Sequence, residues 1–94
     1  MKIGFIGLGN MATAMMGGII KNRIAAASEI FGADALPAAG EKAAKELKIN
    51  VLESNTGVVK ASDVIVLSVK PQFYPDVIND IKDACDMSRI IITI

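Results

Sequence analysis

The feature that most constrains this 94-residue chain is a glycine-rich turn between two apolar segments near its N-terminus. Residues 2–6 are short and apolar enough for a buried strand, and residues 10–22 have the length of a helix. The six residues from Gly7 to Ala12 fit the pattern Gly-x-Gly-x-x-(Gly/Ala). In that position, between a strand and a helix, the pattern is typical of a dinucleotide-binding turn.

Each small residue of the turn has a physical role in such a site. Gly7 permits a tight turn, Gly9 lets the backbone approach a pyrophosphate without a Cβ, and Ala12 lets the helix pack closely on the strand. Asn10 and Met11 would lie in the first helical turn, whose N–H groups and dipole attract phosphate. The alternative is a glycine-rich turn that binds no ligand.

Residues 3–20 carry no charge, so a membrane helix or a signal peptide must also be considered. This stretch contains five glycines as well as Asn10 and Thr13. Glycine at that density weakens a continuous helix. We therefore expect two elements of a globular domain and no membrane segment.

Strand-like and helix-like segments alternate along the whole chain. This alternation predicts an α/β fold, a Rossmann-like doubly wound parallel sheet of about five strands with helices on both faces. The segment at 63–69, whose residues 64–67 form a continuous apolar run, is typical of a parallel strand buried on both faces. The other strands are expected at residues 2–6, 28–34, 49–52 and 89–94, and the helices at residues 10–22, 38–48, 55–60 and 74–85.

Composition excludes several functional classes. Ten basic residues balance ten acidic ones, which argues against a nucleic-acid-binding domain. Histidine is absent, so the commonest general base and metal ligand is missing. The single cysteine, Cys85, is expected on the apolar face of a helix, where it would be an unreactive part of the protein core. It can form neither an internal disulfide nor a cysteine metal site. We expect no metal and a reduced, cytoplasmic location.

Asp34 lies 22 residues after Ala12, close to the spacing at which an acidic residue holds the ribose of NAD. Its carboxylate would accept a hydrogen bond from the 2′-hydroxyl and would repel a 2′-phosphate. An ordinary turn or helix-cap role is an equally good interpretation. Lys42 and Lys45, the nearest cations that follow, are expected on a solvated helix face.

Four further candidates, Lys70, Pro71, Asn55 and Tyr74, lie in or next to the loops beyond the strands. The ends of strands 1 and 4 should face one crevice, because ligands of open α/β sheets lie beyond the carboxyl ends of the strands. Pro71 would stiffen the loop there, and Lys70 would place a cation near the reacting ring or a substrate carboxylate, unless it is a surface lysine. Asn55 opens a short helix and could simply be its N-cap. Tyr74 could donate a proton, but packing at a helix start is the better expectation.

Residues 2–12 and residues 61–72, together with Asn55, resemble pyrroline-5-carboxylate reductases. The resemblance implies reduction of 1-pyrroline-5-carboxylate to proline with NADP or NAD as cofactor. It also implies that residues 1–94 form the N-terminal dinucleotide-binding domain. A C-terminal helical domain, expected to hold the substrate and catalytic residues and to form a homodimer or higher oligomer, would be missing from a chain that stops at Ile94.

The resemblance assigns cofactor contacts residue by residue. A loop that holds the pyrophosphate would comprise Gly7, Leu8, Gly9, Asn10, Met11 and Ala12. Asn55 would contact the adenosine side, and the loop beside the nicotinamide would comprise Val69, Lys70 and Pro71. Asp34 departs from the serine-rich or basic 2′-phosphate site of many relatives, which tilts the expectation towards NAD.

Two other functions fit part of the pattern. A β-hydroxyacid dehydrogenase-like enzyme often begins with a similar glycine turn, but it lacks the signature at residues 69–72. A nucleotide-binding module without catalysis would also need no substrate domain. The protein sequence downstream of Ile94 would discriminate the enzyme from the module.

Overall fold

A computed structural model of the chain describes residues 1–84 and 90–94. Its centre is a five-stranded, fully parallel sheet with the strand order β3-β2-β1-β4-β5. The strands are β1 (Ile3–Ile6), β2 (Ile30–Ala33), β3 (Asn50–Val51), β4 (Val64–Leu67) and β5 (Ile90–Thr93). The helices are α1 (Asn10–Lys21), α2 (Pro37–Leu47), α3 (Asn55–Ala61) and α4 (Tyr74–Ile81).

The sheet has an apolar core on each face, because its buried strands are apolar at consecutive positions. Phe5 and Val66 point towards one face, where they pack with Met16 of α1 and Ala43 of α2. On the other face a second cluster gathers residues of β1, β4, α3 and α4, namely Ile6, Ile65, Leu67, Val58, Val59, Val77 and Ile81. The doubly wound α/β prediction is therefore confirmed, with helices on both sides of the sheet.

Most element boundaries fall within a few residues of the prediction. The third strand is shorter, since only Asn50 and Val51 pair with β2. The fifth strand forms, but its four residues are exposed, because β5 is the edge of the sheet and no described helix covers it. The last helix is shorter than predicted, because α4 ends at Ile81 and residues 82–84 form a turn. Residues 85–89 lie outside the described part, so the prediction for Cys85 is not tested. No helix among the described residues is long and apolar enough to span a membrane.

Ser62 is a buried polar residue that leads to a stability prediction. Its side chain is 3% exposed, and its hydroxyl finds no hydrogen-bond partner among the described residues. An unsatisfied buried hydroxyl costs about 1–3 kcal/mol. We expect Ser62→Ala to raise the free energy of unfolding by about 1 kcal/mol, measured by urea denaturation.

Ser54, at the other end of the same helix, provides the matched control. Its hydroxyl caps α3 by accepting a hydrogen bond from the Gly57 N–H at 3.0 Å. Ser54→Ala should therefore lower the free energy of unfolding by about 1 kcal/mol. Loss of stability in both variants would contradict the interpretation of Ser62.

Candidate functional site

The glycine turn joins the end of β1 to the start of α1 and is fixed by its neighbours on both sides. The Gly7 N–H donates to the Ala33 carbonyl at 2.9 Å, at the end of β2. The Ser68 hydroxyl, just after β4, donates to the Gly7 carbonyl at 2.6 Å. Gly7 has φ +99°, which side chains of L-residues rarely adopt. The tight turn predicted at Gly7 is present.

Gly9 behaves differently, although it is only two residues away. Its backbone is extended, with φ −75°, and it precedes α1 as the N-cap residue. A Cβ at Gly9 would meet no protein atom within 4 Å, so packing within the domain does not require a glycine there. The open space in front of Gly9 is a place into which a ligand can bring its atoms close to the backbone.

The first turn of α1 offers backbone donors next to that space. The helix has no side-chain N-cap and no acidic residue in its first turn. Asn10 and Met11 are exposed, while Ala12 is 1% exposed and packs in the core. The N–H groups of a helix start and its positive dipole favour an anion such as phosphate.

Leu8 lies between the two glycines but turns away from the open space. Its side chain is 3% exposed and fills the space over Gly32, where a Cβ would lie 2.6 Å from a Leu8 methyl carbon. Its N–H donates to Asp34 Oδ2 at 2.7 Å. Neither group of Leu8 is therefore free to contact a ligand in this arrangement.

Asp34 follows β2 directly and is held at both carboxylate oxygens. Oδ2 accepts the Leu8 N–H, and Oδ1 accepts the Leu36 N–H at 2.8 Å. The second bond is the turn role considered for Asp34, and the first ties the loop after β2 to the glycine turn. These bonds occupy one lone pair on each oxygen and fix where the carboxylate lies.

The loop after β4 stands beside the glycine turn because β4 pairs with β1 in register. Val69 is half-buried, and Lys70 and Pro71 are exposed. Pro71 begins a 3₁₀ turn, Pro71–Phe73, in which the Phe73 N–H donates to the Lys70 carbonyl at 2.9 Å. The predicted break after strand 4 and its shared crevice with strand 1 are confirmed.

These segments enclose one open cleft of about 560 Å³ at the carboxyl ends of β1, β2 and β4. Its lining includes six of the predicted site residues, Gly7, Gly9, Asp34, Asn55, Val69 and Lys70. Leu8, Asn10, Met11, Ala12 and Pro71 are not part of that lining. The cleft also contains Ser68 and Asp76, which the sequence analysis missed. The only feature of the sequence that could have indicated Ser68 is its position directly after β4, at the carboxyl edge of the sheet.

Two other predictions can be judged from local contacts. The N-cap interpretation of Asn55 is wrong, because Ser54 caps α3 and Asn55 is its first helical residue. The Asn55 side-chain amide instead donates to Asp80 Oδ2 of α4 at 3.2 Å. Tyr74 is half-buried at the start of α4, as expected, and its hydroxyl donates to the Ile94 carbonyl. No metal-binding cluster of acidic or cysteine side chains occurs within residues 1–84 and 90–94.

A parallel sheet of this order, with a glycine turn and an uncapped helix start at its carboxyl edge, defines a nucleotide-binding domain of the dehydrogenase and reductase type. The sequence agrees with this class. The chain belongs to the family described as NADP oxidoreductase coenzyme F420-dependent, whose profile matches residues 2–94.

Within that family the similarity is to pyrroline-5-carboxylate reductases, as the resemblance in the sequence implied. The enzyme of Pseudomonas aeruginosa is 39% identical over 93 residues, which are 99% of this chain and 34% of that protein. The chain thus spans about a third of the length of the curated relatives it matches.

Solved structures of pyrroline-5-carboxylate reductases are also similar to this chain. A pyrroline-5-carboxylate reductase from Coxiella burnetii superposes with a TM-score of 0.91 at 26% identity, over 99% of this chain and 34% of that one. The pyrroline carboxylate reductase of Plasmodium falciparum, solved with NADP bound, has a TM-score of 0.83 at 31% identity, over 99% and 32% of the two chains.

Proposed function

We propose that the chain is the NADP- or NAD-binding domain of an oxidoreductase, with the cofactor in the cleft at the carboxyl edge of the sheet. The observation that carries this proposal is the open space in front of Gly9, beside the uncapped start of α1. In this site the N–H groups of residues 10–12 donate to the pyrophosphate. Gly7 supports them by keeping the turn close to β4.

The remaining contacts follow from the residues around the cleft. The Asp34 carboxylate accepts hydrogen bonds from the adenosine ribose, and Asn55 lies on the adenosine side. Lys70 contributes the positive charge, since it is the only cation among the described residues that line this cleft. Val69 and Lys70 form the wall on the nicotinamide side, and Pro71 supports that wall from the start of the 3₁₀ turn that follows.

We further propose that the whole protein reduces 1-pyrroline-5-carboxylate to proline, because the relatives similar over nearly all of this chain are reductases of that name. The bound dihydronicotinamide supplies the hydride that this reduction of a cyclic imine requires. A further, helical domain outside these residues would hold the substrate, contribute the catalytic residues and form a homodimer or higher oligomer. We place the enzyme in the cytoplasm.

A titration of the 94-residue chain tests the cofactor site. We expect saturable binding of NADH or NADPH at concentrations up to millimolar, followed by the fluorescence of the reduced nicotinamide. We expect no turnover with 1-pyrroline-5-carboxylate, since the chain contains no histidine and the only described carboxylates lining the cleft are Asp34 and Asp76. Absence of saturable binding with all four of NAD, NADH, NADP and NADPH would overturn the proposed site. Clear turnover by the 94-residue chain would overturn the proposal that the catalytic residues lie in another domain.

A further inference from the structure

Ser68 lies directly after β4 and lines the proposed cofactor cleft, although none of the cofactor contacts proposed above involves it. Its side chain is half-buried, and its hydroxyl oxygen is 2.6 Å from the Gly7 carbonyl oxygen and 3.1 Å from that of Ile6. The Ile6 carbonyl also accepts the Ser68 N–H at 2.9 Å. Because a hydroxyl has a single proton to donate, that proton goes to the closer oxygen, the carbonyl of Gly7.

The Gly7 carbonyl and the Leu8 N–H are the two polar groups of one peptide unit. This peptide is trans, so the two groups point in opposite directions. The carbonyl accepts the Ser68 hydroxyl on the β4 side, and the N–H donates to Asp34 Oδ2 at 2.7 Å on the β2 side. Since β1 lies between β2 and β4 in the sheet, a single peptide at the end of β1 links the loops that follow both neighbouring strands.

Such a link has most effect at a glycine, whose backbone torsions are the least restricted by steric contacts. The peptide before Gly7 is fixed by the hydrogen bond from the Gly7 N–H to the Ala33 carbonyl. The peptide after Gly7 is fixed by the two hydrogen bonds just described. Without the serine hydroxyl it would keep one of them and could rotate next to Gly7. Because this peptide leads into Gly9 and the start of α1, its rotation would displace the N–H groups that are proposed to bind the pyrophosphate.

The two hydrogen bonds on this peptide also strengthen each other. A proton donated to the carbonyl oxygen polarises the amide and makes its N–H a better donor. The acceptor of that N–H is a carboxylate, so the bond is charge-assisted and gains most from the polarisation. The Ser68 hydroxyl thus helps to hold the Asp34 carboxylate at the end of β2.

We propose that Ser68 is a positioning residue of the dinucleotide site, and that its hydroxyl acts through the peptide between Gly7 and Leu8. By fixing that peptide it holds both the start of α1 and the Asp34 carboxylate in the geometry that binds the cofactor. The inference rests on the proposed cofactor site, and it goes further by naming a residue on the β4 side that controls the pyrophosphate and ribose contacts on the β2 side.

The first experiment needs no cofactor and measures the amide proton of Leu8 by NMR in the 94-residue chain. A short hydrogen bond to a carboxylate moves an amide proton downfield. We expect Ser68→Ala to shift the Leu8 amide proton upfield, because the peptide is no longer held on its carbonyl side. Ser62→Ala is the matched control, since it removes a serine hydroxyl that has no hydrogen-bond partner among the described residues, and it should leave the Leu8 signal in place.

The second experiment titrates the same variants with NADH at a temperature at which each is folded, as checked by the dispersion of the NMR spectrum. We expect Ser68→Ala to weaken NADH binding about fivefold, the factor that corresponds to one ordinary hydrogen bond. Ser68→Cys, measured under reducing conditions, keeps a side chain of similar shape with only a weak donor, so it should also weaken binding. Ser62→Ala does not alter the cleft lining and should keep the affinity of the unmodified chain.

The outcomes separate this inference from the proposed function. An unchanged Leu8 amide signal in Ser68→Ala would overturn the action through the peptide. Full NADH affinity in Ser68→Ala or in Ser68→Cys would overturn the role of the hydroxyl while leaving the cofactor site intact. Failure of the unmodified chain to bind any of the four dinucleotides would overturn the proposed site, and with it the role of Ser68 in binding.

Discussion

Replacing Gly7 by alanine is expected to lower the free energy of unfolding by about 3 kcal/mol. Two costs add up at this position. The backbone has φ +99°, and a Cβ would lie 2.9 Å from the carbonyl carbon and oxygen of Ser68. Because those atoms belong to the backbone after β4, no rotation of a side chain relieves the contact. Native domains of this length are stable by roughly 5–10 kcal/mol, so the loss is large.

Urea denaturation of both glycine variants of the turn would check this expectation. Gly9→Ala is the matched control, since its Cβ meets no protein atom within 4 Å and its φ is negative. Gly9→Ala should lower the free energy of unfolding by less than about 1 kcal/mol, the typical loss of stability with alanine at an N-cap. Equal losses in Gly7→Ala and Gly9→Ala would show that the two glycines do not have the separate roles that the turn geometry gives them.

The fold was largely predictable because its signals are local and agree with one another. Apolar runs of strand length alternate with amphipathic segments, and right-handed crossovers leave few ways to arrange them. The edge strand β5 shows where this reasoning stops. Ile90, Ile91 and Ile92 predict a strand correctly, yet they are 43–62% exposed, because the cover of a strand depends on elements elsewhere in the structure.

The site was predictable in outline and not in its hydrogen bonds. Spacing placed Gly7, Gly9 and Asp34 near one another, and the structure brings them to one cleft. Spacing could not show that the Asp34 carboxylate accepts the Leu8 N–H, a contact between residues 26 positions apart. Nor could it show that Ser54 and not Asn55 caps α3, since serine and asparagine are almost equally good N-cap residues.

The glycine turn contains positions fixed by hydrogen bonds and positions that face open space. Gly7, Leu8 and Ser68 are bound to neighbouring strands or loops, so the loop has a fixed shape before any ligand arrives. Gly9 and the start of α1 face the space that this shape leaves free. When a site is formed before the ligand binds, little of the binding free energy is lost in ordering the protein.

Gly9→Ala is accordingly expected to weaken cofactor binding at least about tenfold, or about 1.4 kcal/mol, while the domain stays folded. The added methyl group would occupy the space through which the pyrophosphate approaches the backbone. Titration of the variant with NADH, compared with the unmodified chain under the same conditions, measures the effect.

Gly17→Ala is the control on the same helix, because a Cβ at Gly17 also meets no protein atom within 4 Å and Gly17 does not line the cleft. It should keep the affinity of the unmodified chain and gain about 0.5–1 kcal/mol of stability, since alanine is the better helix former. If Gly9→Ala bound NADH as tightly as Gly17→Ala does, the pyrophosphate would not lie against Gly9. The cofactor would then have to enter the cleft by way of the loop after β4, where Lys70 supplies the charge.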